Sequence, residues 1–321
     1  MANRDLSRNL PAKKYTHSNP TELKLAFEFS GGSTEYIDIA RALSAINRKF
    51  VSQQAYFYVS KIELYNNSDS FVDIHTLPDT WVTRNAYKRG RAMFERMNEL
   101  LDPAVSGIAA AQYYDFKVFM NNQHRTLGSA DPVTYDINAT AGSGFSPAVP
   151  DEWAYSQLVS ADDDGDATQQ ADNFYLHMVG DHAGSSNNWL SVGLIKSYGE
   201  SRSTVSQLGA SEVALDITDP ILNLMDNSSE EQINDIATRL QFDNDATPYD
   251  TDVYVGSLDT GMVNQCRLVT TTTLGRVTAA PGFCAPLGLI CVDSRNAAND
   301  AYRIVITLAP GTYHGTYAER V

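Results

Sequence analysis

The sequence is poor in cysteine, modest in charge and without any long apolar run. Three cysteines stand at positions 266, 284 and 291, an odd number, and no two are spaced as Cys-x-x-Cys. That pattern argues against a disulfide framework and against a zinc knuckle. Cys291 lies inside the apolar run Leu287-Gly-Leu-Ile-Cys-Val292 and reads as a small core residue. No run of about 18 apolar residues occurs, so no membrane-spanning helix is expected. The first fifteen residues, Met1 to Tyr15, lack the apolar centre of a signal peptide, so no secretion signal is expected. Charged residues make up only 20%, against 43% hydrophobic, a balance that excludes disorder and a coiled coil.

Catalytic motifs are missing as well. There is no Gly-x-Ser-x-Gly, no Walker loop, no Gly-x-Gly-x-x-Gly after a strand and no His-Glu-x-x-His. With 39 acidic residues, pairs of carboxylates are available anywhere, and nothing marks out one pair for glycoside chemistry. No enzymatic activity and no catalytic residue is expected.

What the chain does have is β-forming pattern. The 17 tyrosines and 12 phenylalanines exceed the needs of a helical bundle. Leu23, Leu25, Phe27 and Phe29 alternate strictly, which predicts a half-buried strand. A Ser30-Gly-Gly-Ser33 turn and Tyr36–Ile39 then suggest a hairpin. Further strands are expected at Tyr56–Tyr65, Phe71–His75, Tyr113–Met120, Phe174–Val179, Leu190–Tyr198, Val253–Gly256, Cys266–Thr270, Leu287–Val292 and Tyr302–Leu308. Strands joined by Gly/Asn/Asp/Pro-rich segments predict a mainly β chain, a sandwich or jelly roll rather than a βαβ fold. Two long connections, 121–172 and 199–250, read as contact or functional loops.

Two helices are expected as insertions, near 80–101 and 229–241. The first follows Pro78, with Asp79 or Thr80 as N-cap. Val82, Ala86, Met93, Met97 and Leu100 form its expected apolar stripe, with Trp81 anchoring it to a sheet, and Arg84, Lys88 and Arg91 its opposite face. Gly90 interrupts it at a cost of about 1 kcal/mol relative to Ala. The second helix, Glu230–Leu240, opens on a Ser229/Gln232 capping box.

Charge is divided unevenly. The net charge is −15, yet residues 1–101 hold 14 basic and 11 acidic side chains, and residues 102–321 hold 10 and 28. The arm at 1–22 carries Arg4, Arg8, Lys13 and Lys14. With Arg84, Lys88 and Arg91 these are the candidate phosphate contacts, point charges that would bind nucleic acid without reading its sequence. The loop Asp162-Asp-Asp-Gly-Asp166 has the alternating oxygens of a calcium loop but no completing Glu, and reads as a solvated acidic loop; no cofactor is expected, with a divalent cation such as calcium as the alternative. Residues 243–252 could supply further oxygens to it. His177 and His182 could share a metal only if the chain turned sharply between them. Asn66, Asn138 and Asn227 begin chance Asn-x-Ser/Thr triplets.

The segment Leu77-Pro-Asp-Thr-Trp-Val-Thr-Arg-Asn-Ala-Tyr-Lys-Arg-Gly-Arg-Ala-Met-Phe-Glu-Arg-Met97, and the ending Tyr302-Arg-Ile-Val-Ile-Thr-Leu308 followed by Ala-Pro-Gly-Thr-Tyr-His-Gly-Thr-Tyr317, resemble the capsid proteins of environmental circular single-stranded DNA viruses that encode a Rep protein. The resemblance implies a virion coat protein: a single jelly-roll β-sandwich over residues 23–321 behind the basic arm. Such a subunit self-assembles into an icosahedral shell around a nucleic-acid genome, with no membrane involved. The arm, with four basic residues in its first 20, is shorter of charge than the Arg/Lys-rich arms of that family. A lectin-like, carbohydrate-binding sandwich is the alternative of a different class.

Overall fold

The computed structural model describes residues 22–29, 32–66, 68–99, 115–135, 145–147, 153–161, 171–185, 188–203, 255–257, 261–271, 277–294, 301–309 and 317–320. The chain is mainly β and its sheets are built almost entirely of antiparallel pairs.

Two sheets share the principal core. One has the order β1 (Lys24–Phe29), β14 (Tyr302–Leu308), β3 (Ala55–Tyr65), β12 (Val277–Pro286), with β15 (Tyr317–Arg320) paired to the start of β3. The other has the order β11 (Val263–Thr270), β4 (Ser70–Thr76), β13 (Leu289–Ser294), β2 (Thr34–Asp38). The pairs nest. β1 joins β14, β2 joins β13, β3 joins β12 and β4 joins β11, all antiparallel, so the chain folds back on itself strand by strand.

Alternation explains how these sheets close. Leu25, Phe27 and Phe29 of β1 point inward with Ile304 and Ile306 of β14 and Ile62 and Leu64 of β3; Val72, Ile74, Leu268 and Ile290 meet them from the second sheet. Each such side chain fully removed from water contributes about 1.5–3 kcal/mol before chain entropy is counted. The second sheet is covered on its other face too. In β2, Ile37 belongs to the core between the sheets and Tyr36 to a second core; in β13, Ile290 and Val292 face the first, Leu289 and Cys291 the second. A strand buried on both faces must be apolar at every position, which is why Leu289–Val292 runs without alternation.

The second core lies under the long connection between β4 and β11. It holds α2 (Trp81–Glu99), the extended residues 116–120, and a third sheet of order β7 (Gln157–Ala161), β8 (Ala171–His177), β10 (Asn188–Gly193), β9 (Ala183–Ser185), with α4 (Leu194–Ser203) behind it. Within this sheet β8 and β10 are parallel. The same connection also carries the pair β5 (Val133–Tyr135) and β6 (Phe145–Pro147), with β5 lying beside β1, and the one-and-a-half-turn α3 (Asn122–Leu127). The stretch 121–172, expected as a loop, thus carries short strands and a helix.

Five local expectations are corrected. Residues 24–29 and 34–38 form no hairpin, because each strand finds its partner more than 250 positions along the chain, Leu25 opposite Ile306 and Ile37 opposite Ile290. The expected strand at 36–39 ends at Asp38, whose Oδ1 accepts from the Arg41 amide at 3.1 Å and so caps α1 (Ile39–Asn47). Over 115–120 there is extended backbone but one isolated bridge, Phe119 with His177. Phe119 and Met120 bond through their backbones to residues 176–179, while side chains serve the amides before them: the Val118 amide donates to Gln53 Oε1 at 2.8 Å and the Lys117 amide to Ser156 Oγ at 3.0 Å. Finally, the strand expected through Tyr198 turns helical at Leu194, where Lys196 and Glu200 pair one turn apart. The described part of the expected strand at 253–256 is a turn.

Candidate nucleic-acid interface

Helix α2 starts where its capping chemistry puts it. Pro78 precedes it and Thr80 Oγ1 accepts from the Thr83 amide at 3.2 Å, so Thr80 is the N-cap. Val82, Ala86, Tyr87 and Phe94 are buried in the second core and Met97 is half-buried against it. Met93, expected inside, is 50% exposed. Adjacent residues lie about 100° apart on a helix, and in this turn it is Phe94 that faces the core while Met93 lies at the edge of the apolar stripe. Phe94 takes the place because it continues the row of Tyr87 and Gly90 onto Phe116, 5.4 Å from it between ring centroids.

Gly90 has a packing role. A Cβ there would lie 2.9 Å from Leu194 Cδ2 and 3.3 Å from the Phe116 ring, so glycine lets α4 approach α2 without displacing the end of the Leu194 side chain. Trp81 is 37% exposed and meets Tyr198 of α4 edge-on at 6.2 Å.

The basic face is built as follows. The Arg84 guanidinium lies 4.9 Å from the Tyr56 ring centroid and pairs with Asp79 at 3.1 Å; the Tyr56 hydroxyl donates to the same carboxylate at 2.9 Å. Lys88, one turn on, is exposed. Arg91 is half-buried rather than an ordinary exposed helix charge. It pairs with Glu95 at 2.7 Å and donates to the Gln54 side-chain oxygen, while Gln54 donates to Asp115 at 3.2 Å. The structure therefore brings Arg84, Lys88 and Arg91 onto one ridge beside β3, with Arg84 and Arg91 each held by an acid. Sequence reasoning passed over Arg89 and Arg96 on the same helix, which raise its basic residues to five against two acids. Counting charge over the whole helix rather than over one stripe would have found them. Lys117 stands apart. It is 2% exposed, its amine 4.8 Å from the Trp153 ring centroid, and burial holds that amine below the usual lysine range.

Arg4, Arg8, Lys13 and Lys14 lie outside the described residues, as do the acidic loop 162–166, the segment 243–252, the helix expected at 230–240, and Asn138 and Asn227. Asn66 is buried and donates to Ser70 at 2.7 Å. His177 and His182 do not converge on a metal. His177 Nε2 donates to the Asp181 carbonyl at 3.0 Å, so its Nδ1 accepts from Ser191 Oγ at 2.6 Å. His182 Nδ1 accepts from the Gly193 amide at 3.1 Å and its Nε2 meets Glu200 at 3.0 Å. Both nitrogens of both rings are occupied. Among the described residues no group of three or more His, Cys, Asp or Glu is placed to hold a metal ion, and no helix is long and apolar enough to cross a membrane.

No family model, no curated protein and no solved structure matches this chain.

Proposed function

We propose that this chain is a capsid subunit: a jelly-roll β-sandwich that assembles with copies of itself into an icosahedral virion shell around a nucleic-acid genome. The observation that carries the fold part of the reading is the nested pairing. Taking β1–β4 and β11–β14 as eight successive strands, the first pairs with the eighth, the second with the seventh, the third with the sixth and the fourth with the fifth. This nesting supports the jelly-roll reading, the double-sheet form that coat proteins share with lectin-like domains. The long connection between β4 and β11 is then an insertion, and it begins with the segment that carries the family resemblance. Copies of the chain are the principal partner, because a closed shell needs large interfaces on several sides of one subunit. The genome is the second partner, met by phosphate contacts from the arm (Arg4, Arg8, Lys13, Lys14) and from the α2 ridge (Arg84, Lys88, Arg91). No catalytic residue and no cofactor belongs to this function.

Electron microscopy and size-exclusion chromatography of the purified protein test it together. Particles of megadalton mass are expected, whereas a monomer or small oligomer that binds glycan would replace the reading with the lectin-like one. Neutralising Arg4, Arg8, Lys13 and Lys14 together should lower the 260/280 nm absorbance ratio of the particles. The effect is modest, since every phosphate no longer neutralised by the arm takes about 0.7 from the salt slope on single strands and about 0.9 on duplex. An unchanged ratio would remove the arm from the genome contact.

A further inference from the structure

His124 is fully buried at the seam where the insertion meets the second sheet, its ring stacked on Tyr36 of β2 at 4.8 Å. Its neighbours fix its protonation state. Nδ1 lies 3.0 Å from the Met120 amide, a donor, so Nδ1 accepts and the neutral ring carries its proton on Nε2. Nε2 lies 2.6 Å from Ser129 Oγ, Ser129 Oγ lies 2.6 Å from the Tyr155 hydroxyl, and that hydroxyl donates to Asp38 Oδ2 at 3.0 Å. Asp38 also accepts from the Arg41 amide and from Gln53 Nε2, at 3.1 Å each. Each of these partners is a donor, so Asp38 stands as a carboxylate. With an amide at one end and a carboxylate at the other, every proton of the chain points from Met120 towards Asp38. No position is left for a second proton on the imidazole.

The same stretch fastens the seam. The Ala130 amide donates to the Tyr36 carbonyl at 2.7 Å, and the Arg41 guanidinium donates to the Ser129 carbonyl at 2.8 Å and pairs with Asp131 at 2.6 Å.

We propose that His124 is an acid-released pin: neutral, it holds α3 and residues 128–130 against β2 and α1, and protonated it cannot be seated there, so acid opens this seam. A proton on Nδ1 would point at the Met120 N–H, two donors facing each other, and that amide would lose its partner. Turning the ring over gives no relief, because an imidazolium carries a donor on both nitrogens. It would also be a cation taken out of water beside the Arg41 guanidinium. Burial, assisted by Arg41, pushes His124 down to about 3 in the closed seam, while an opened seam returns it towards its ordinary value near 6.5. A histidine lowered in this way stabilises closure fully above its ordinary value, and that contribution is lost as the pH falls from there towards 3. His177 is the contrast. It is buried too, but its Nδ1 faces the Ser191 hydroxyl, which can turn round and accept, so protonation there need not break a bond.

The charged and titratable groups around the pin come from every element packed on it. Tyr36 faces it from β2, with Cys291 and Asp293 beyond, and Asp38 and Arg41 lie at the start of α1. Tyr155 meets the ring edge-on, Tyr175 and His177 lie behind Phe119, Asp115 and Lys117 stand further along the 115–120 segment, and Arg125 lies on α3 itself. Burial pushes Asp38 up to about 6 against the bonds it accepts. That carboxyl and the other groups are common to wild type and variant, so their share cancels in the ratio of the two.

The experiment is hydrogen exchange at the Met120 amide of the full chain, corrected for intrinsic rates, in wild type and in His124→Asn. The Asn Oδ1 takes the place of Nδ1 and accepts the same amide, but it takes up no proton. The ratio of wild-type to variant opening constants should rise about tenfold per pH unit of acidification between about pH 5.5 and pH 4, the slope of one proton taken up on opening. A rise of less than about threefold per pH unit overturns the proposal. Should His124→Asn not fold, the wild-type ring nitrogens followed by NMR decide. As long as the Met120 amide is protected, the ring should stay neutral with its proton on Nε2; a ring that takes its second proton while that amide is still protected overturns the pin.

Discussion

Replacing Phe116 by alanine should cost about 3–5 kcal/mol, the largest loss expected from any single truncation under α2. The ring is 1% exposed and stands at the centre of the second core. Tyr87 and Phe94, a full two turns apart on α2, both rest on it, at 5.2 and 5.4 Å between centroids, and Gly90 passes over it between them. A cavity at that point is roofed by α2 and surrounded by the other side chains of the second core, so little can move in to fill it. The basic ridge would lose its fixed position with the helix, and assembly would suffer with it. Met93→Ala on the same helix should stay within about 0.5 kcal/mol, because half of that side chain is already in water. Equilibrium urea unfolding of the two variants checks the pair; equal losses would mean that the helix faces are assigned wrongly.

Gly193→Ala should destabilise by at least the upper part of the usual overpacking range, about 3 kcal/mol, for the addition of one methyl group. Its Cβ would lie 2.2 Å from the Gly180 carbonyl oxygen and 3.2 Å from His177 Nε2. The obstructing atom is backbone, so no side-chain rotation relieves the clash. β10 would have to leave the turn at Gly180, and with it go the His177 bond to the Asp181 carbonyl and the Gly193 amide bond to His182. The residues that follow are Leu194, which closes on Gly90 of α2, and Ile195, fully buried in the second core, so the disturbance would pass from sheet to helix. Gly128→Ala is the control. Nothing lies within 4 Å of its Cβ, and only its backbone, φ +79° with ψ 177°, opposes a side chain, at about 1–3 kcal/mol. Circular dichroism melts and urea curves should rank the two clearly; a Gly193→Ala no worse than Gly128→Ala would show that the turn at Gly180 yields easily.

Local pattern carried much of what is seen. The alternation at 23–29, the runs at 56–65 and 302–308 and the Pro78-Asp-Thr80 start of α2 each form the element they predict, because one face or one cap is written in consecutive residues. Cys291 is the small core residue that its apolar neighbours imply. The helix at 39–47 was also legible in principle. Asp38 is a good cap, and Ile39, Leu43 and Ile46 follow at helical spacing, but the preceding strand pattern reads into it.

The candidate interface divides in the same way. That Arg84, Lys88 and Arg91 share a helix face follows from spacing alone. That Arg91 turns back to Gln54, or that Arg84 lies over Tyr56, depends on where α2 lies against β3, and no residue of the helix specifies that.

Sequence by itself determined the class of structure, a mainly β chain with a capped amphipathic helix after β4, because periodicity and capping are properties of neighbours in the chain. Only the tertiary structure decided which strands pair, which of Met93 and Phe94 goes inside, and that β13 is covered on both faces. Those outcomes rest on contacts between residues far apart in sequence, where a partner is chosen by the fit of whole surfaces. Leu25 meets Ile306 because two alternating faces close over one core, and nothing within either segment names the other.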